Sequence, residues 1–378
     1  MDFNFSDEQS MLRDMVRGFL ADNYSIDARR AAVASETGWR AQIWREFAEL
    51  GLLGAPFGEE LGGFGGGAVE TMIVMEEFGR ALVIEPYLAT VVIAGGFFRH
   101  SGHPQAAEWI RRIIAGEAVF AFAHAEPQGR HNLADLRTRA RREGADWVLN
   151  GHKAVVTGAP WATHLIVPAR TGGSQREPEG VSVFVVERGT PGITTKDYAT
   201  IDGLRASEVY LKGVRVSGEA LVGNEGAALP LIEQVVDEAL AAIGAEACGV
   251  MRRMHEDTVE YTRQRKQFGQ PIADFQVVQH RMVDMFIQLE QAEAMTQMAT
   301  LALGMDTAER SRAASASKVQ VGRACRFVAQ NAVQLHGGIG VTDELALGQY
   351  FKRATIIESA FGSVDHHLAR YERLAYDG

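Results

Sequence analysis

The run SAFGSVDHH, from Ser359 to His367, sets an aspartate beside two adjacent histidines, residue types that ligate metals or move protons. HSGH adds His100 and His103, and GGFGGG adds a glycine-rich stretch from Gly62 to Gly67. On a helix adjacent residues point about 100° apart, so His366 and His367 do not converge on one ion. No H-E-x-x-H pattern and no cysteine pair accompanies them. Solvated or hydrogen-bonded histidines are expected, with no metal. A dinucleotide loop needs a strand before its glycines and an acidic residue about 20 positions on. GGFGGG has helix-like sequence before it and ALVIEP, also helix-like, after it, so a plain turn is expected.

Three other segments have the makings of a ligand site. AEPQG (Ala125 to Gly129) ends a strand, and RQRKQFGQPIADFQ (Arg263 to Gln276) is a basic link between two helices. QLHGGIG (Gln334 to Gly340) closes a helix with glycines, where backbone amides can approach a ligand closely. Helix caps and solvated charges account for each of these taken singly.

The elements that must position these segments follow from hydrophobic period. Ser6 and Gln9 read as a capping box, and Trp44, Phe47, Leu50 and then Ile73, Met75, Phe78 recur at helical spacing. From Ala118 to Gly223 the period is two. WVLNGHKAVVT carries Asn150-Gly151 between β-branched runs, a type I′ hairpin signal, and THLIVPART, VSVFVVERG and EVYLKGVRV read as further strands. These strands argue for a small antiparallel barrel or sandwich. From Gly226 onward long apolar faces return: Ile232, Val235, Val236, Ala239, Leu240, Ile243; then Val278, Met282, Met285, Leu289, Ala292; then Val321, Cys325, Val328, Ala332, Leu335. The expected architecture is α+β: a helical domain over residues 1–117, a β-barrel over 118–223 and a helical bundle over 224–378.

Composition narrows the function classes. Of 378 residues, 46% are apolar and 23% charged, and the net charge is −10 without any basic stripe, which argues against nucleic acid. The cysteines, Cys248 and Cys325, are far apart in helix-like sequence and read as buried thiols in a reducing cytoplasm. The N-terminal MDFNFSDEQSMLRDMV is too acidic for a signal peptide, and Glu85 and Pro86 interrupt the most apolar stretch, so neither secretion nor membrane insertion is expected.

Taken together, DFNFSDEQ, ELGLLGAPFGEELGGFGGG, AEPQG, DWVLNGHKAVVTGA, VRVSGEALVGNEG, RKQFGQPIADFQ and QLHGGIG resemble the acyl-CoA dehydrogenase family of flavoproteins, in the family's order and over nearly the whole chain. The resemblance implies a helical N-terminal domain, a β-barrel middle domain, a C-terminal four-helix bundle, and FAD shared between subunits of a tetramer or dimer of dimers. It places Phe122, His124 and Ala125 along the flavin, with Val155, Val156 and Thr157 flanking its ring. Arg265, Gln267, Phe268 and Gln276 match residues that reach the diphosphate and adenosine of FAD on a neighbouring subunit, and Gln334, Gly337 and Gly338 match the family's Q-x-x-G-G. Two departures stand out: the aromatic two residues before the threonine is Val155, and Arg130 and His131 replace the Gly-Ser that usually follows E-P-x-x.

The resemblance also implies a carboxylate that removes the acyl α-proton. One family position for it, set against KRATIIESAFGSV, falls on Gly362; the other, in the first bundle helix, falls on Ala239, with Leu240 where an arginine follows. Both positions lack an acid. Glu238, Asp365 and Glu358 are neighbouring carboxylates, with Glu238 the foremost substitute. The ending SAFGSVDHHLARY is similar to small subunits of bacterial two-component acyl-CoA dehydrogenases, of the pimeloyl-CoA and steroid side-chain kinds, whose larger partner carries the base. Three outcomes are open: a base-less subunit of an α2β2 enzyme, a self-sufficient homo-oligomer using Glu238, or a non-catalytic acyl-CoA or flavin binder. An acyl-CoA substrate, a homologous large subunit and an electron-transferring flavoprotein as acceptor are the implied partners.

Overall fold

Ser6 opens the first helix as the sequence requires: its hydroxyl accepts from the Gln9 amide and the Gln9 side chain accepts from the Ser6 amide. The computed structural model describes residues 5–376; the first residues of the DFNFSDEQ motif and the last two of the chain lie outside them. Helices α1 (Asp7–Asn23), α2 (Ile26–Ala34), α3 (Ala41–Glu49) and α4 (Ala68–Ala81) come first. A π-helical turn (Leu88–Ala94) then leads into α5 (Gly95–Ser101) and α6 (Ala106–Ile114). GGFGGG forms the turn before α4, and what stands directly ahead of it is a 3-10 turn, Glu59–Leu61, rather than a strand.

ALVIEP departs from the helical expectation. The chain leaves α4 through Leu82 at φ +55, with Leu82 N–H donating to the Gly79 carbonyl and Val83 N–H to that of Phe78. That is a Schellman closure with leucine where glycine usually stands, so the sequence carries no stop signal.

The β region comprises β1 (Phe120–Phe122), β2 (Arg139–Glu143), β3 (Asp146–Thr157), β4 (His164–Arg170), β5 (Val181–Glu187), β6 (Ile193–Ala199), β7 (Arg205–Val216) and β8 (Leu221–Val222). They form one sheet in the order β6-β7-β3-β2-β4-β5-β8, with β1 paired to β4. Most pairs are antiparallel, but β1 and β2 each meet β4 in parallel, so the expected all-antiparallel pairing is not complete. Its core is Trp147, Leu149, Val156, Leu165, Val167, Phe184, Val186, Val209 and their neighbours.

Asn150-Gly151 is not a hairpin turn. It lies inside β3, and the turn joining β2 to β3 is Gly144-Ala145. The pair marks a register shift against β7: the Asn150 side chain accepts from Gly213 N–H, and a Cβ on Gly151 would stand 2.2 Å from Thr138 Oγ1. The sequence signal was for a glycine, and a bulge at a close approach needs one as much as a turn does.

Three long helices follow, α7 (Leu229–Gln264), α8 (Gln276–Ala302) and α9 (Thr307–His336), then the shorter α10 (Leu347–Ser359) and α11 (Val364–Tyr376). The α7–α8 link is a small hairpin, β9 (Lys266–Gln267) with β10 (Gln270–Pro271). The chain clusters into two compact units: residues 32–67 with 84–239, holding the sheet, and residues 1–31 with 68–83 and 240–378, holding most of the long helices. Among the described residues no helix is long and apolar enough to cross a membrane, and both cysteines are free and buried.

Candidate functional site

In the sheet unit, β1 runs straight into the AEPQG loop, and Ala154 N–H of β3 donates to the Ala125 carbonyl at 2.9 Å. That bond sets Phe122, His124 and Ala125 beside the strand bearing Val155 and Thr157. The Phe122 and His124 rings stack, centroids 4.6 Å apart and 20° from parallel. Burial lowers the His124 pKa to about 4, so its imidazole is neutral near pH 7. Val155 and Thr157 face outward; Val155 is 56% exposed at φ +50.

Sequence reasoning missed what fixes this corner. Glu126, the acid of AEPQG, is buried and takes Lys153 Nζ at 2.8 Å, Gln128 Nε2 at 2.9 Å, and the backbone amides of Arg137 and Thr138 at 2.6 and 3.1 Å. Burial alone would raise its pKa; the Lys153 ammonium and these donors overcome that and hold it at about 2. The signal available was the glutamate and lysine of AEPQG and GHKAVV, both in strand-like apolar surroundings where an ion must be paired.

In the helical unit, Phe268 and Gly269 both have positive φ, +53 and +85, making the two-residue turn of the β9–β10 hairpin. Phe268 is 92% exposed, an apolar ring held out from the surface. A groove of about 370 Å³ is lined by Gln267, Phe268, Phe275, Arg281, Gln334 and Leu335 among others. Tyr261 ties the α7 end to the α9 end, its hydroxyl donating to the His336 carbonyl at 3.2 Å and its ring stacked on His336. Arg265 is exposed beside the hairpin and Gln276 begins α8; neither lines the groove. Gly337 and Gly338 follow α9, Gly337 at φ +67, and a Cβ on either would meet nothing within 4 Å.

Each surface, taken in its own unit, has chemistry compatible with one part of a flavin dinucleotide. The glycine ledge is open, the apolar Phe268 and Val155 are uncovered, and the guanidinium and amides of Arg265, Gln267 and Gln334 are donors of the kind that bind diphosphate.

The expected base positions are equally definite. Gly362 lies in the α10–α11 turn at φ +133, a conformation open essentially to glycine alone. A Cβ there would stand 2.5 Å from His367 Nε2 and 2.7 Å from His366 Cδ2. Lys318 Nζ donates to the carbonyls of Glu358 and Gly362 at 2.7 and 2.9 Å, and the His367 ring meets the Phe361 carbonyl at 3.1 Å. Glu358 takes the Arg326 guanidinium, and Asp365 is exposed in the first turn of α11. The His366 and His367 rings stand edge to face, 5.0 Å apart.

In the sheet unit Ala239 is fully buried, and Glu238 is held by Arg99 Nη2 at 2.7 Å and His100 Nε2 at 2.5 Å. Burial pushes the Glu238 pKa up, but His100 and Arg99 hold it below the ordinary value. His103 is occupied too, by the Glu219 carbonyl and the Gln105 amide.

Three family models match the chain: the acyl-CoA dehydrogenase N-terminal domain over residues 6–117, the middle domain over 121–214 and the C-terminal domain over 229–373. The chain is 29% identical to the probable acyl-CoA dehydrogenase YngJ of Bacillus subtilis, covering 96% of each chain. It is 30% identical to the acyl-CoA dehydrogenase FadE12 of Mycobacterium tuberculosis, covering 94% of this chain and 92% of the relative. Among solved structures it resembles a chain of the ChsE4–ChsE5 complex of Mycobacterium tuberculosis, with 26% identity, TM-score 0.90 and full coverage of both chains. It also resembles a variant of the Tcur3481–Tcur3483 steroid acyl-CoA dehydrogenase, with 28% identity, TM-score 0.89 and 98% coverage of both.

Proposed function

Because the chain belongs to the acyl-CoA dehydrogenase family, FAD-binding oxidoreductases acting on CH–CH bonds, we propose that it is the base-less subunit of a two-chain enzyme. In this reading it helps to bind FAD and an acyl-CoA thioester, and a related, larger partner chain supplies the carboxylate in an α2β2 assembly. The observation that carries it is Gly362, a glycine at the family position, whose φ of +133 is strained for any side chain and where a Cβ would press on the His366 and His367 rings.

The α-proton of a thioester is weakly acidic, so its removal needs a carboxylate whose pKa is raised by a dry site. Ala239 has no titratable group. Glu238 fits the demand poorly, since two donors engage it and its pKa runs in the opposite direction. When bound, FAD supplies the acceptor for the β-hydride.

This chain's residues hold and orient. Arg265 clamps the diphosphate, while Gln267, Phe268, Gln276, Gln334, Gly337 and Gly338 surround the dinucleotide. Phe122, the neutral His124, Ala125, Val155 and Thr157 line the ring. A neutral imidazole offers one donor and one acceptor and brings no second positive charge. An electron-transferring flavoprotein is the acceptor that this reading implies.

The test is to purify the chain alone and with a related chain bearing the family glutamate, then add acyl-CoA thioesters and follow the flavin absorbance. Bleaching confined to the two-chain assembly is expected. Bleaching by the chain alone, abolished in Glu238→Gln, would overturn this reading in favour of a self-sufficient enzyme. Ligand binding without bleaching in any pairing would make it a non-catalytic binder.

A further inference from the structure

Val155 is a β-branched residue held at φ +50, where such side chains are outliers, and it is 56% exposed. It sits where the β3–β7 register shifts between Lys153 and Val156. A left-handed, outward-facing valine does not persist in a strand unless its surroundings dictate it. The dictating group is Glu208 on β7. Its Oε1 accepts from Val155 N–H at 3.3 Å and from the Tyr198 hydroxyl at 3.1 Å, while Oε2 meets His152 Nε2 at 2.6 Å. His152 is itself packed flat on Tyr210, ring centroids 4.3 Å apart. Three elements, β3, β6 and β7, thus converge on one peptide N–H through one carboxylate.

On the other side of the same bulge, Ala154 N–H donates to the Ala125 carbonyl. The two bonds point the Val155–Thr157 edge between them. We propose that Glu208 is a positioning residue for the flavin ring, fixing the left-handed Val155 so that the strand edge presents Val155 and Thr157 in one orientation. The inference rests on the reading that this edge flanks the ring. It gives a reason for valine where the family has an aromatic: orientation by a half-buried carboxylate acceptor replaces coverage by a large ring.

The experiment is a double-mutant cycle on FAD affinity, with FAD itself as the probe, in the oligomer that carries it, alone or with the partner chain. Glu208→Ala removes the acceptor and is expected to weaken FAD binding by about tenfold and to change the shape of the bound-flavin visible band. Val155→Gly gives up the valine's own contact with the ring, and in that background Glu208→Ala is expected to cost little further, because glycine adopts φ +50 unaided. Glu208→Gln keeps an acceptor at Oε1 and is expected to stay within about threefold of the wild type, which separates lost positioning from lost folding. Glu208→Ala with wild-type affinity and band shape would overturn the inference, as would additive effects of Glu208→Ala and Val155→Gly. Failure of the wild-type chain to bind FAD in either assembly is a different result, which removes the ring-site reading and this inference with it.

Discussion

At the scale of single residues, the sheet unit is anchored by an ion in its interior. Glu126 stays ionised because Lys153 and two backbone amides meet it, and truncating either partner strands the other. Lys153→Met is expected to destabilise the protein by about 3–5 kcal/mol, read as a lowered denaturant midpoint. The folded pKa of Glu126, about 2, lies below its value in the unfolded chain. Its contribution is therefore complete above pH ~4.5 and is lost as pH falls toward 2, on the order of 3 kcal/mol in all. In Glu126→Gln the stability lost between those two pH values should shrink by that amount; an unchanged pH slope would mean that other carboxylates govern acid unfolding. Gly362 is the second residue-scale case. Its φ and its crowding predict that Gly362→Ala lowers stability by about 1–3 kcal/mol, and that Gly362→Glu lowers it further without giving the isolated chain dehydrogenase activity. A well-folded Gly362→Glu chain that bleaches its flavin with acyl-CoA would contradict the closed turn.

Elements explain what the sequence did and did not reveal. Long amphipathic helices were legible because their apolar faces repeat over many turns: Ile232, Val235, Val236, Ala239, Leu240 and Ile243 are all buried. Short edge elements were not. The strand ITTKDYA has no apolar face of its own, and RARRE pairs through its backbone with side chains mostly outward. Asn150-Gly151 misled because glycine marks a special backbone position without saying which one. Placing it inside β3 yields a prediction a turn would not: Gly151→Ala drives a methyl into Thr138 and should cost about 2 kcal/mol or more, measured by thermal unfolding. Special backbone shapes were legible where glycines mark them, as in the turn at Phe268-Gly269 and the α9 end at Gly337. The supports were hidden, since Glu126–Lys153, Glu208–Val155 and Lys318 with the Gly362 turn join residues far apart in sequence. The α10–α11 turn depends on the last of these. Lys318→Met leaves two carbonyls without their donor and should loosen that turn first, seen as faster amide exchange at residues 360–364 than in the α9 core.

For the molecule as a whole, the decisive feature is that α8 is apolar on more than one side. Met285, Leu289 and Ala292 are buried within the helical unit, yet Val283, Phe286, Ile287, Met298 and Leu301 are 40–54% exposed. A helix hydrophobic around so much of its circumference belongs in the interior of something larger. The C-terminal half of that face borders a groove of about 730 Å³ whose lining is mostly apolar, with Met298, Leu301, Met305 and Tyr371 along it and Glu309 and Arg312 as its charged residues. A surface of this kind fits the proposed assembly, with the related large subunit as the body that covers it. Charges placed there should break the assembly and leave the chain folded, because the side chains replaced are exposed and contribute little to the unit's own core. Met298→Glu with Leu301→Glu is therefore expected to reduce the sedimenting mass to that of the free chain, and to shift its thermal midpoint by no more than the equivalent of about 1 kcal/mol. Loss of FAD should accompany the loss of mass, since the dinucleotide residues on β9, β10 and the α9 end are proposed to serve a neighbouring subunit's cofactor. A doubly charged variant that keeps both its mass and its flavin would show that the α8 face is covered by nothing the assembly needs.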